Sequence, residues 1–270
     1  VSRGGASVSE LRDASDLLSQ LTRREIRLRY RGTVLGQLWG LLNPIALMII
    51  YTIVFSRILR VAPPVGRPSG LDVFALWVLC GLLPWMFLSN CVTSGLAALV
   101  TNAGLITKVW FPREVLVASA TIGWVVSFGF ELAVLIVALT VAGQLTAILW
   151  AVATLPVIAL LLVLGTGLAL MASVLNVYFR DTAQLVGIGM QLWFFATPIV
   201  YPSSLVPDTF RQLLWLNPMA SFTDCFRALL YDGRVPAFNN VLAITLWSAV
   251  GLAAGIWLFR RFEPRLAEEL

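Results

Sequence analysis

The chain has no histidine, a single lysine (Lys108), three cysteines and few charged residues, which make up 12% of its 270 positions. Each shortage excludes something. Without histidine there is no Ser-His-Asp triad and no histidine acid–base step, and most zinc sites fall away too. The cysteines, Cys80, Cys91 and Cys225, are odd in number and far apart. They argue against a disulfide framework or a metal cluster and read as small apolar packing residues. The lone lysine lies between Thr107 and Val109, so the chain lacks the Gly-x-x-x-x-Gly-Lys-Ser/Thr loop that cradles phosphates. No nucleotide-binding domain is expected here. If ATP drives this protein, a separate subunit hydrolyses it.

A soluble domain is about 25% charged, whereas this chain is 59% hydrophobic with a mean hydropathy of +0.87. Several apolar runs reach the roughly 20 residues that cross a hydrocarbon core. The expected fold is an all-α membrane protein with six transmembrane helices, at about 36–56, 73–98, 115–142, 147–174, 184–201 and 239–259. The fifth is expected to break early, because "FFATPIVYP" places Pro198 and Pro202 at its end. Irregular backbone at membrane depth is tolerated only where protein or water covers it. The first thirty residues are polar and arginine-rich with no short apolar run, so no cleavable signal peptide is expected.

Basic residues set the orientation. With the N-terminus inside, the inner segments hold 13 of the 19 lysines and arginines and the outer segments 6. Both termini are therefore placed on the cytoplasmic side of a multi-pass protein in the cytoplasmic membrane. Residues 1–35 form a cytoplasmic tail and interface helix, 36–259 the membrane domain, and 260–270 a cytoplasmic tail.

Three regions are more than spans. In "LRDASDLLSQLTRREIRLRYRG", Leu11, Ala14, Leu17, Leu18, Leu21 and Leu28 share one helical arc of about 120°. Arg23, Arg24, Arg27 and Arg31 lie on the neighbouring arc, and Arg29 faces the leucines. A basic amphipathic helix before a first span reads as one lying in the membrane interface, or as an orientation signal. The second region is "FPRE", in the inner segment of about 101–114. Pro112 keeps Phe111 out of helix and suits a first turn, where Glu114 meets the positive end of the helix dipole. That describes a well-made turn. It leaves open why aromatic Trp110 and Phe111 stand there between Lys108 and Arg113, which suits docking into a partner's groove or anchoring in the interface. The third region, about 201–238, carries Phe222, Phe226, Leu229 and Leu230 at helical spacing, punctuated by Pro207 and Pro218. Two short amphipathic helices against the outer ends of the spans are expected there.

Ion-coupled carriers hold several ionisable groups within their spans. This chain has one clear candidate, Glu131, and no inverted repeat. Internal ion coupling is poorly supported, and Glu131 is either functional or a packed polar group.

Taken in order, "LTRREIRLRYRGTVLGQLWGLLNPIALMIIYTIVF", "LITKVWFPREVL", "NVYFRDTAQLV" and "FFATPIVYPSSLVP…LNPMASFTDCFRALLY" resemble the permease subunit of type-2 ABC exporters for polysaccharides. That family includes O-antigen, teichoic-acid and galactan exporters. The resemblance runs from about Leu17 to Phe259. It implies a channel-forming subunit with no catalytic residue of its own. Two such chains pair with two ATPase subunits, which bind ATP and Mg2+, and a polyprenyl-diphosphate-linked glycan passes between the permeases. Membrane lipids complete the partners; no nucleic acid and no metal are expected.

For individual residues, the resemblance implies that Lys108, Phe111, Pro112, Arg113 and Glu114 belong to the region facing the ATPase, with Arg180 and Asp181 nearby. Pro198, Tyr201, Pro202, Asn217 and Pro218 fall in its outer gate. Sugars stack their C–H faces on aromatic rings, so Trp39, Tyr51, Trp85, Trp193, Phe194 and Phe195 are candidate channel-wall residues, with a lipid-facing belt as the competing role. Arg27, Arg29 and Arg31 are candidates to meet a lipid diphosphate at the cytoplasmic entrance. The nearest alternative is a type-2 ABC exporter of a small molecule or lipid. A membrane-embedded glycosyltransferase fits worse, because Asp72, Asp208, Asp224 and Asp232 form no close pair in sequence.

Overall fold

The computed structural model describes residues 8–30, scattered positions between 42 and 60, and 64–266 apart from Thr107, Val109, Trp110 and Arg180. No strand occurs among the described residues. Helix α1 covers Val8–Tyr30, and a widened helical segment follows at Thr52–Ile58. Then come α2 (Phe74–Thr101), a single turn at Ala103–Ile106, α3 (Glu114–Val141), α4 (Ala147–Tyr178) and α5 (Thr182–Ala196). Short turns at Ser203–Leu205, Asp208–Arg211 and Gln212–Leu216 lead to α6 (Pro218–Phe226). Helix α6 runs straight into a π-helical stretch, Arg227–Asp232, before α7 (Phe238–Phe262).

Four of these helices, α2, α3, α4 and α7, are long and apolar enough to cross a membrane. At 1.5 Å per residue even the shortest exceeds the roughly 30 Å of hydrocarbon. Their outward faces are apolar as well: Val137, Val141, Leu149 and Val152 are all exposed. Helices apolar all round suit lipid and leave little hydrophobic force to join them, so close approach and polar contacts must do so.

The seam between α4 and α7 shows how. A Cβ on Gly167 would lie 2.4 Å from the carbonyl carbon and oxygen of Gly251, and one on Gly255 would lie 2.4 Å from the oxygen of Gly167. The two backbones touch, and Ser248 donates to the Leu160 carbonyl at 2.9 Å in the same seam. Between α2 and α4, Gly95 meets Ala169, and the Asn176 amide donates to the Leu96 carbonyl at 3.1 Å. Thr121 and Thr166 hydrogen-bond at 3.0 Å between α3 and α4.

Helix α5 has 15 residues, about 22 Å, shorter than the hydrocarbon core, and breaks early as expected. The chain past Ala196 bends at the buried residues Thr197–Val200 instead of continuing. One expectation needs revision, that for α6 and its π-helical extension. They are not amphipathic caps lying on the bundle: from Pro218 to Tyr231 every residue except Asp224 is buried, and the pair packs among α2, α4 and α7. The π-helical stretch ends at Gly233 with φ +72, where a Cβ would lie 2.6 Å from the Gln144 amide nitrogen. The first expected span, 36–56, lies largely outside the described residues.

The core has two parts, one at each end of the bundle. The larger surrounds Trp77, Phe87, Phe128, Phe222, Phe226 and Tyr231. The smaller gathers Leu21, Leu99, Ile106, Phe111, Leu116, Val174 and Phe259. They are called the Trp77 end and the Phe111 end below. All three cysteines are buried, and none forms a disulfide.

Candidate functional site

An open cleft of about 410 Å³ runs between α2 and α5. Its α2 wall presents Leu82, Trp85, Met86, Ser89, Asn90 and Thr93, and its α5 wall Gly187, Met190, Gln191, Phe194 and Phe195. The helical repeat explains the lining: Met86, Ser89, Asn90 and Thr93 recur at three and four residues and share one face. Of the six aromatic wall candidates, the fold brings four together. The ring of Trp85 meets Trp193 edge-on at 5.6 Å and Phe194 at 5.6 Å, and Phe194 meets Phe195 at 5.2 Å. The cleft is therefore aromatic toward the Trp77 end and carries hydroxyl and amide groups further in. Trp39 and Tyr51 lie outside the described residues. Glu131 is buried on α3, 6% exposed, and lines neither this cleft nor the hollow described next.

Of the five expected gate residues, Tyr201, Asn217 and Pro218 line one hollow, while Pro198 and Pro202 lie in the bend beside it. Asn217 is the hub. Its oxygen accepts from the Trp193 indole at 2.8 Å and from the Met219 backbone N–H at 3.0 Å, so it caps α6, with Pro218 at the first helical position. Its nitrogen donates to the Ala196 carbonyl at 3.2 Å and to the Thr197 hydroxyl at 2.9 Å. Tyr201 donates to the Phe195 carbonyl at 2.8 Å, and Pro198 and Pro202 are buried in the bend. Trp193, Tyr201, Asn217 and Pro218 line a second hollow of about 580 Å³, floored by Phe210, Leu213 and Leu214.

Sequence reasoning missed one residue here. Arg227 is 7% exposed and stands between α2 and the bend. It donates to the carbonyls of Pro198 at 2.8 Å and Ile199 at 2.5 Å, and reaches that of Trp77 at 3.5 Å. Its guanidinium carbon lies 3.6 Å from the centre of the Trp77 ring. A guanidinium stays charged at neutral pH, so this is a buried cation held by carbonyl oxygens and a ring face. An arginine among the apolar residues of a short helix was the available signal.

At the Phe111 end, α1 is helical and packs against α3. Leu21 is buried and Leu17 and Leu18 partly so, but Leu28 is 48% exposed and leaves the predicted apolar face. Arg24 donates to the side-chain oxygen of Asn102 at 3.0 Å, pinning α1 to the end of α2. Gln20, Arg23, Arg24, Arg27 and Leu28 line a shallow groove on α1. The side chain of Arg29 and the whole of Arg31 lie outside the described residues.

The "FPRE" turn is tied into this end. Phe111 is 9% exposed in the smaller core, which corrects its reading as an aromatic presented for docking. Pro112 turns the chain so that the ring drops inward while Lys108 and Pro112 stay exposed. Arg113 donates to the Glu263 carbonyl at 2.6 Å, and Glu114 lies 4.0 Å from Arg260, so both charges reach the end of α7. Asp181 is exposed at the start of α5, and Arg180 lies outside the described residues. Tyr178, three residues before Asp181, packs edge-on against Phe262 at 5.6 Å, which brings that turn to the same end. Replacing Arg113 by alanine is expected to lower stability by about 1–2 kcal/mol, whereas Lys108→Ala leaves it unchanged. Thermal unfolding in detergent checks this; equal midpoints for R113A and wild type would remove the tie.

The ABC-2 type transporter family model matches residues 16–231. The O-antigen export system permease protein RfbA of Myxococcus xanthus is 34% identical over 266 residues, covering 97% of this chain and 98% of that protein. A protein of the same name from Klebsiella pneumoniae is 32% identical, covering 94% and 95%. The polysialic acid transport protein KpsM of Escherichia coli is 23% identical, covering 90% and 92%.

Proposed function

We propose, from the premise that the chain belongs to the ABC-2 type transporter family, that it is the pathway-forming permease of a polysaccharide exporter. The cargo is a polyprenyl-diphosphate-linked glycan, moved across the cytoplasmic membrane. A separate ATPase subunit hydrolyses ATP, two copies of it serving two copies of this chain. The membrane domain has six spans, the short fifth being α5 together with the buried bend and α6 segment that carry the chain on to the Trp77 end. Both termini face the cytoplasm, which makes the Phe111 end the inner one and the Trp77 end the outer one.

The observation that carries this reading is the chemistry of the α2–α5 cleft. Phe195 stands open, the buried rings of Trp85 and Phe194 back the cleft beside it, and Ser89, Asn90, Thr93 and Gln191 add hydroxyl and amide groups. That mixture suits a sugar chain, which has C–H faces and hydroxyls in alternation and must slide without being gripped. The export systems named for the relatives support the same cargo class. Arg23, Arg24 and Arg27 on α1 offer the diphosphate a cationic inner entrance. The inner turn at Lys108–Glu114, with Asp181, is where the ATPase engages the permease.

Purification of the chain from its native membrane, followed by identification of bound protein and lipid, tests the reading. Recovery with an ATPase subunit and a polyprenyl-diphosphate glycan is expected; the chain alone, under conditions that keep ABC complexes together, would overturn it. Trp85→Ala is expected to lower surface glycan about fivefold per assembled complex, the equivalent of about 1 kcal/mol of ring stacking, with resting ATP hydrolysis retained. Unchanged export in that variant would remove Trp85 from the pathway.

A further inference from the structure

Helix α5 forms one wall of the cleft, yet it buries only Thr182 and Phe194 of its own residues. Its packed length therefore does little to fix its outer end. The chain beyond that end is buried irregular backbone, whose carbonyls lack the partners a helix would supply. Arg227 supplies donors to two of them, Pro198 and Ile199, and the same guanidinium stacks on Trp77 of α2. One cation thus joins three elements: the broken end of α5, the wall helix α2 and the buried α6 segment.

The surroundings are shaped to admit it. A Cβ on Gly81 of α2 would lie 3.0 Å from Nη2 of Arg227 and 2.9 Å from Cγ2 of Thr223, so only glycine leaves the guanidinium its seat. Asp224, Asp232 and Arg234 line a polar hollow of about 290 Å³ with Arg227 and Pro202, where Asp232 and Arg234 pair at 2.9 Å. The head group is therefore held between the carbonyls of the bend and a charged hollow.

We propose that Arg227 is a positioning residue that latches the outer end of the pathway. In the closed state it holds the end of α5 against α2, and opening for export breaks its bonds to Pro198 and Ile199. This rests on the pathway reading above. A lysine cannot replace it fully, because an ammonium is a point donor without the planar fork that serves two carbonyls while stacking on a ring.

The test is resting leak. The full chain and its ATPase are reconstituted in liposomes without ATP, and efflux of entrapped radiolabelled sucrose is measured per assembled complex. Arg227→Met is expected to raise efflux at least tenfold, the shift in a closed–open equilibrium when its two charge-assisted hydrogen bonds to the bend are lost. Arg227→Lys should fall between that variant and wild type. Gly81→Ala, which keeps the charge and crowds its seat, should leak in the same direction by a smaller factor. A residue that merely aids folding would lower the yield of complex and leave efflux per complex unchanged, and that result overturns the latch. If Arg227→Met does not assemble, wild-type efflux in Gly81→Ala overturns it instead. Glycan bound to the purified wild-type complex reports on the pathway reading separately. Leak in the variants with no glycan bound keeps the latch and sinks the cargo; glycan bound with no leak sinks the latch alone.

Discussion

Replacing Gly167 with leucine is expected to abolish the folded protein. The α4–α7 seam has main-chain atoms on both sides, so the incoming side chain meets Gly251 and Leu252 backbone within 2.4–2.6 Å of its first carbon. Overpacking is usually relieved by a neighbouring side chain changing rotamer, at a cost of about 1–3 kcal/mol. Here no side chain is available to move, and parting the helices also breaks the Ser248–Leu160 hydrogen bond. A loss above about 4 kcal/mol follows, in the range that removes a membrane protein from the cell. Gly167→Ala should show the same effect at reduced size. Gly129→Ala is the control: a Cβ there meets nothing within 4 Å, so stability should hold or rise by up to about 1 kcal/mol. Membrane-fraction yield and unfolding in detergent report both, and a stable Gly167→Leu protein would mean the seam is not as close as described.

Asn217→Ala is the second large effect. One amide serves Trp193, Met219, Ala196 and Thr197, and alanine leaves the indole, the first turn of α6 and the end of α5 without it. Loss of a helix cap costs about 1 kcal/mol and an orphaned buried donor about 1–3 kcal/mol, so a total of about 2–4 kcal/mol is expected. Asn217→Asp separates the roles. It keeps the acceptor for Trp193 and Met219 but replaces the donors to Ala196 and Thr197 with a carboxylate oxygen. It should preserve α6 while loosening the end of α5. The indole emission of Trp193, isolated in a background where the other tryptophans that tolerate it are phenylalanine, should shift in the alanine variant only. An equal shift in both would mean that the acceptor and donor roles of Asn217 are not separable.

How much of this was legible in the sequence differs by region, for physical reasons. The four long helices follow from apolar runs, a signal contained within each segment. The break after α5 was legible because Pro198 and Pro202 act locally. Helicity around Phe222 and Leu229 was legible from spacing, but burial of the opposite face was not, because Ser221, Thr223 and Arg227 look like a solvated side. What buries Arg227 is carbonyls on residues 28, 29 and 150 positions away, and no local pattern encodes them. Phe111 was misjudged for a related reason. Its charged neighbours do reach outward or to the end of α7, yet the proline between them sends the ring the other way. Of the aromatic candidates, Trp85, Phe194 and Phe195 line the α2–α5 cleft, while Ser89, Asn90 and Gln191 became visible only once α2 faced α5.

A joint made of backbone against backbone has one further property. Most helix contacts can slip by letting side chains hop between rotamers, which takes little energy and leaves the axes free to shear. The glycine seam between α4 and α7 has no such lubricant, so the two helices act as a single beam. Arg113 and Glu114 attach the Phe111–Glu114 turn to one end of that beam through Glu263 and Arg260. A displacement delivered at the turn is therefore carried along the beam without being absorbed, and the compliance of the molecule is concentrated across the cleft, in the lightly packed α5.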